Sequence, residues 1–241
     1  MWIQSWNVLV ILLLVVMGYF IGNVQTAIIV SKIAFRDDVR NHGSGNAGST
    51  NMVRVYGTKY GIITFIGDAS KTAIAFVLGR LIGGWLGLHA SDAALAVSVG
   101  GCLAAAASVY GHCFPVLYGF RGGKAAACSF AIMWCFCWQA ALAATVCLVV
   151  IFLITKRVSI VSILTATLFT VFVVIAHLIG WIPRYYIWYT LSASGLLIVR
   201  HRENIKRILK GEEKELHFSA PPQVQKPQPE QKQNEQKTEE K

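Results

Sequence analysis

Apolar residues in this chain fall into long blocks, near residues 8–30, 60–84, 93–110, 124–137, 139–155, 160–180 and 184–200, with polar residues confined to the stretches between them. About 20 apolar residues is the length at which a helix crosses the hydrocarbon core of a bilayer. In a water-soluble fold, segments apolar on every side would each have to be buried completely. The pattern therefore predicts an all-α, polytopic integral membrane protein with about seven transmembrane helices. The fourth block is short and only loosely separated from the fifth, so that boundary is the least defined.

Composition agrees. The 241 residues are 55% hydrophobic and only 14% charged, against about 25% charged in a soluble domain. The net charge of +10 sits mostly in the segments flanking the apolar blocks, where it reads as membrane topology. No nucleic-acid-binding module is recognisable. Lys32, Arg36, Arg40, Arg54 and Lys59 occupy segment 31–59, read as a connecting loop. Arg121 and Lys124 lie in the turn 111–124, Lys156 and Arg157 in the link 156–159, and the stretch after residue 200 is densely basic. The alternate loops carry little beyond Arg80 and Arg184. Basic loops stay cytoplasmic, so an odd number of spans puts the N-terminus outside and the C-terminus in the cytoplasm. No Lys or Arg precedes Lys32, so block 8–30 reads as a retained first helix rather than a signal peptide. Residues 216–241 are rich in Pro, Gln, Lys and Glu and are expected to form a disordered tail behind a membrane domain of residues 1–215. The six cysteines lack zinc-ligand spacing and read as small core residues.

Against this background, glycine-rich polar runs stand out, all on the predicted cytoplasmic face. The first is Gly43-Ser-Gly-Asn-Ala-Gly-Ser-Thr-Asn51, followed by Arg54. Closely spaced glycines let backbone N–H groups approach an anion. Ser44, Ser49, Thr50 and Asn51 add polar groups and can cap a helix whose N-terminus favours phosphate. Arg54 is a planar, bidentate donor suited to phosphate oxygens. The same run reads equally as a plain connecting loop. Its formal dinucleotide fingerprint, Gly43-x-Gly45-x-x-Gly48, lacks the strand such a motif requires. The second run is Gly111-His-Cys-Phe-Pro115 with Phe120-Arg-Gly-Gly-Lys124. It is not a nucleotide-hydrolase loop, because Tyr118 and Ala125 stand where Gly and Ser or Thr belong. Gly122, Gly123 and Lys124 still offer a bare turn beside an ammonium, unless Lys124 merely snorkels to the membrane border. His112 either packs on Phe114 and bonds a carbonyl, or serves an oxyanion or a hydroxyl proton.

Two further pieces follow. Lys156-Arg-Val-Ser-Ile-Val-Ser162 places Ser159 and Ser162 on one helix face. His201-Arg-Glu-Asn204, continuing to Gly211-Glu-Glu213, puts His201 and Asn204 on one face of a basic juxtamembrane helix. Inside the second block, Asp68 and Lys71 are spaced to neutralise each other. No histidine has Asp five residues on, and no Gly-x-Ser-x-Gly elbow exists, which excludes the His-x4-Asp acyltransferases and argues against a serine hydrolase.

Taken together, these runs resemble the bacterial acyl-phosphate-dependent glycerol-3-phosphate acyltransferase family, in order, over nearly all of residues 8–215. The matching pieces are Asp38 to Arg54, Gly111 to Ala127, Lys156 with Ser159 and Ser162, His201 to Glu213, and Asp68 with Lys71. One position departs, since Ala125 replaces the glycine of a Gly-Gly-Lys-Gly turn. If that position needs a positive φ, Ala costs about 1 kcal/mol or more. The resemblance implies transfer of an acyl group from acyl phosphate to sn-glycerol 3-phosphate, giving 1-acyl-glycerol 3-phosphate and phosphate at the bacterial inner membrane. No cofactor or metal is implied, because an acyl phosphate is already an activated anhydride. Expected partners are the two substrates, membrane lipid and the enzyme that makes the acyl phosphate, and the chain is expected to act as a monomer. Ser44, Gly45, Asn46, Gly48, Thr50, Asn51 and Arg54 are assigned to the glycerol phosphate. Gly122, Gly123 and Lys124 are assigned to the acyl-phosphate end, while Ser162, His201, Asn204 and Glu213 close the site. With no His-Asp dyad visible, proton transfer to a substrate phosphate is expected, with His112 and His201 as the alternatives. The competing class is a transporter of phosphate-bearing solutes, which should place its motifs at mid-membrane and often carries internal repeats; neither feature is present.

Overall fold

The computed structural model describes residues 5–86 and 93–218, and these are all-α, with ten helices and no strand. The helices are α1 Ser5–Asn23, α2 Thr26–Phe35, α3 Ser49–Tyr56, α4 Thr58–Trp85, α5 Ala93–Cys113, α6 Ala126–Phe136, α7 Trp138–Thr155, α8 Val158–Leu178, α9 Tyr185–Arg200 and α10 Arg202–Leu209. The predicted link at 87–92 and most of the predicted tail, 219–241, lie outside the described residues.

Five stretches are long and apolar enough to cross a membrane: Val8–Phe35, Thr58–Trp85, Ala94–Tyr118, Trp138–Thr155 and Val158–Leu178. The fourth and seventh predicted blocks hold shorter helices. α6 has 11 residues and α9 has 16, or roughly 16 and 24 Å at the helical rise, against about 30 Å of hydrocarbon. Helix α6 buries Ala127, Cys128, Ser129, Ala131, Ile132, Met133 and Phe136. It is wrapped by protein, and a helix so enclosed need not match the bilayer thickness. The most extensive contacts join α4 to α5 and α5 to α1. Gly79 and Gly100 let α4 and α5 backbones touch, because a Cβ at either would collide with the other's carbonyl.

Segment 31–59 is not simply a loop, because it holds the end of α2 and all of α3. Phe35 stacks on Tyr56 at 4.2 Å, so apolar packing continues past the predicted end of the first span. That span is also broken. Between α1 and α2 the carbonyls freed at the break find partners inside the bundle. Lys71 Nζ donates to the Val24 carbonyl and Gln25 Nε2 to that of Gly22 (3.3 Å), while Gln25 Nε2 also ties the break to α5 through the His112 carbonyl (3.2 Å). Such compensation is what permits irregular backbone at membrane depth. The cysteines are all unpaired, with four buried and two half-buried. Residues 216–218, which composition placed in the tail, still pack: Leu216 N–H donates to the Lys156 carbonyl at 2.8 Å.

Candidate active site

The first glycine run is shaped by Asn51, one turn into α3. Its Oδ1 accepts from Ser44 N–H at 2.9 Å, and its Nδ2 donates to the carbonyls of Val39 (3.1 Å) and His42 (3.0 Å). The loop passes through left-handed backbone at Gly43 (φ 58°) and Gly45 (φ 67°), which glycine adopts without strain. It delivers the chain to the N-terminus of α3, capped by Gly48 with no side-chain bond. Arg40 fastens this loop to the next, pairing with Asp38 at 2.7 Å and donating to the Tyr118 carbonyl at 3.0 Å. The bond from Arg40 holds the Asp38 carboxyl below its usual range against the opposing effect of burial.

Arg200 secures the second run, donating to the carbonyls of Gly123 and Gly122 at 3.2 Å each while lying 5.2 Å over the Phe114 ring. The turn then enters α6 through Ala125, at φ 70° and ψ 3°. The site tests the sequence expectation directly: the departing residue does occupy left-handed backbone. Its side chain is fully buried.

Asn204 joins the last two runs. Its Oδ1 accepts from Lys124 Nζ at 2.6 Å, and its Nδ2 donates to Ser159 Oγ at 2.6 Å and Glu213 Oε1 at 2.9 Å. Ser159 Oγ also donates to Glu213 Oε1, and Arg207 donates to Oε2 at 2.9 Å. Burial works against ionising Glu213, yet these bonds from Ser159, Asn204 and Arg207 outweigh it and hold the carboxyl below its usual range. Lys124, by contrast, is pulled down to about 8, first by burial and then by the nearby Arg207. Arg54 is also lowered by burial. Its Nη2 donates to the Lys214 carbonyl at 3.2 Å, and its buried Nε has no partner among the described residues.

These groups meet at a polar cavity of about 60 Å³. Of the predicted site residues, Ser44, Asn46, Gly48, Thr50, Asn51, Arg54, His112, Lys124, Ser162, His201 and Asn204 line it. Gly45 and Gly122 line an adjoining, larger basic cavity together with Arg121, Arg200 and Arg202. Gly123 packs against the His112 ring, whose Nε2 a Cβ would strike. Glu213 stands one layer back as the anchor of Asn204. A third cavity, about 420 Å³ and mostly apolar, shares Ser49, Thr50, Ala126, Val158 and Ser162 with the polar one.

The two histidines differ in what they can do. His112 is not bonded to a carbonyl through its ring. Its Nδ1 lies 2.9 Å from Lys71 Nζ and 3.6 Å from Asp68 Oδ1, because Asp68 and Lys71 sit one turn apart on α4 facing α5. An ammonium only donates, so Nδ1 accepts and the ring proton is on Nε2, facing Gly123. His112 is thus a donor towards the cavity. His201 Nδ1 lies 2.8 Å from the Leu197 carbonyl and must donate, which leaves Nε2 as an acceptor. Burial pulls its pKa down to about 4, so it is neutral at pH 7.

Sequence reading did not assign Asp68 to the site, although it lines the polar cavity; the i, i+3 spacing with Lys71 was the available signal. It also left Ser159, Arg200 and Arg207 without a role, although Ser159 lines the polar cavity and Arg200 and Arg207 line the adjoining basic one. Ser159 and Arg207 stand inside the matched motifs, but the bonds they make to Asn204 and Glu213 depend on the fold.

A family model for glycerol-3-phosphate acyltransferase matches residues 12–211. The glycerol-3-phosphate acyltransferase of Alkaliphilus metalliredigens (strain QYMF) is 40% identical over 205 residues, covering 85% of this chain and 95% of the relative. Among solved structures, PlsY (YgiH), an integral membrane glycerol 3-phosphate acyltransferase, superposes in its glycerol 3-phosphate form with a TM-score of 0.72 and 30% identity, and in its lysophosphatidic acid form with 0.70 and 29%; both cover 86% of this chain and 96% of that one. The helical bundle, the cavity assembled from all four polar runs and a match over most of its length together establish that this chain belongs to the glycerol-3-phosphate acyltransferase family.

Proposed function

We propose that this enzyme transfers a fatty acyl group from acyl phosphate to glycerol 3-phosphate at the cytoplasmic face of the bacterial inner membrane. The observation that carries the reading is the shared wall between a cationic polar cavity and an apolar groove. A fatty acyl phosphate needs both, with its headgroup in one and its chain in the other. The structures of PlsY with glycerol 3-phosphate and with lysophosphatidic acid support the acceptor and the product.

The acceptor's phosphate sits against Arg54, the α3 N-terminus and the Ser44–Asn46 backbone. The donor's phosphate sits against Lys124. The acceptor hydroxyl oxygen attacks the acyl carbonyl carbon as the carbon–oxygen bond to phosphate breaks. The electron pair leaves with the phosphate, and the hydroxyl proton passes to a phosphate oxygen. The base choice follows from basicity: a phosphate monoester has a second pKa near 6, whereas His201 is held near 4 and His112 offers a donor. His201 Nε2 then orients the attacking hydroxyl, and His112 Nε2–H donates to a substrate oxygen. The test is purified protein with palmitoyl phosphate and glycerol 3-phosphate, without coenzyme A or added metal, followed by phosphate release and lysophosphatidate formation. Turnover with palmitoyl-coenzyme A and none with palmitoyl phosphate would overturn the donor assignment.

A further inference from the structure

We propose that Leu216 and Phe218, on the strap that follows α10, form a wall of the apolar groove and set the enzyme's affinity for acyl chains; this rests on the reading that the groove takes the acyl chain. The family match ends at residue 211, yet this chain continues as a fastened segment. Gly211 (φ 73°) turns it back, and Glu212 N–H bonds the Arg207 carbonyl at 2.8 Å. Glu213 is held by Ser159, Asn204 and Arg207, and the Lys214 carbonyl accepts from Arg54. Leu216 N–H closes onto the Lys156 carbonyl, at the turn between α7 and α8. The strap thereby lays Leu216, buried to 7% exposure, and Phe218, 60% exposed and 5.7 Å from the Phe152 ring, along the groove that α8 also lines.

The groove follows α8 from Val158 to Ala166, about 12 Å at the helical rise. Val158 and Ser162 line both the groove and the polar cavity, and Leu216 is tied to the Lys156 carbonyl beside Val158, so the strap meets an acyl chain close to its headgroup. Its contacts therefore act on every long acyl chain and on no part of glycerol 3-phosphate. Contacts made equally in the ground and transition states change KM and leave kcat alone.

The experiment compares the full-length enzyme with Leu216→Ser/Phe218→Ser. Removing these two apolar side chains should raise KM for palmitoyl phosphate about tenfold, with kcat and KM for glycerol 3-phosphate within about twofold. Direct binding of lysophosphatidate and of glycerol 3-phosphate is measured on the same proteins, and only the former should weaken, again about tenfold. That arm needs no donor, so it judges the strap even if palmitoyl phosphate is not a substrate. Should the double variant fail to fold, Leu216→Ala and Phe218→Leu, each alone, take its place. Unchanged affinity for donor and lysophosphatidate would overturn the proposal. An equal rise in KM for glycerol 3-phosphate would also overturn it, since the strap would then serve only to brace Glu213.

Discussion

Two lysines, Lys71 buried and Lys124 half-buried, have opposite surroundings. Lys71 is saturated: Asp68 at 2.9 Å, His112 at 2.9 Å and the Val24 carbonyl take its three protons. Among the described residues Lys124 has one hydrogen-bond partner, the Asn204 amide oxygen, and no carboxylate within ion-pair distance. A saturated buried ammonium stabilises the fold around it. An under-saturated one carries a cost that a bound anion removes. Arg54, with a buried Nε lacking a partner, belongs with Lys124. The difference fits the proposed function, in which Arg54 and Lys124 meet substrate phosphate, while Lys71 holds the broken first span and His112.

The sharpest way to break this division is Arg54→Ala. Losing a preorganised cationic donor should lower kcat/KM about a thousandfold while thermal unfolding in detergent moves little, because among the described residues Arg54 makes one hydrogen bond, to the Lys214 carbonyl. Near-normal turnover would refute the cradle. Lys71→Met should do the reverse, and cost about 3–5 kcal/mol of stability by stranding Asp68 in the bundle. Asp68→Asn/Lys71→Met together should recover part of that loss. If the single variant unfolded at the wild-type temperature, Lys71 would not be the structural member of the pair.

Lys124→Met is expected to reduce kcat/KM about a hundredfold with stability held or slightly raised. The pH profile sharpens the assignment. With its pKa near 8, Lys124 loses its charge as pH rises through 8, so wild-type kcat/KM should fall above that point. Bound phosphate favours the ammonium, which moves the limb in kcat to higher pH. His201, neutral above about 4, adds no limb between pH 5 and 7. Stability runs the other way. The usual value for lysine is 10.5, so between about 8 and 10.5 the unfolded chain holds more protons at this residue, and the ligand-free enzyme gains stability from it as pH rises. The difference in unfolding temperature between wild type and Lys124→Met, followed across that window, checks the sign.

How far these roles were legible in sequence depended on whether a residue acts along the chain or across it. Hydropathy located the long apolar segments among the described residues, though it merged α1 and α2 into one block ending at residue 30, since lipid exposure constrains composition residue by residue. The glycine runs and Arg54, Lys124, His201 and Asn204, which meet at one cavity, stood out in sequence because the phosphate-binding role proposed for them calls for those residue types at short spacing. The break before Gln25 was hidden, because what tolerates it is Lys71, 47 positions away. The tautomer of His112 was equally hidden, being dictated by α4. Glu213 was read as part of the site, but its work is done on Asn204, Ser159 and Arg207, and only the fold brings those together.

The smallest expected effect concerns the turn that aims Lys124. Ala125 occupies left-handed backbone, at a cost of about 1 kcal/mol relative to glycine. Its methyl is fully buried in the largest core cluster, and burying one such group returns about 0.8 kcal/mol. Glycine would also enlarge the unfolded ensemble. These contributions nearly cancel, so Ala125→Gly should shift stability by under about 0.5 kcal/mol, or roughly 2 °C in Tm, with kcat/KM within twofold. A tenfold change in kcat/KM at unchanged Tm would show instead that the methyl positions Lys124, and would move Ala125 from the backbone of the turn into the working parts of the site.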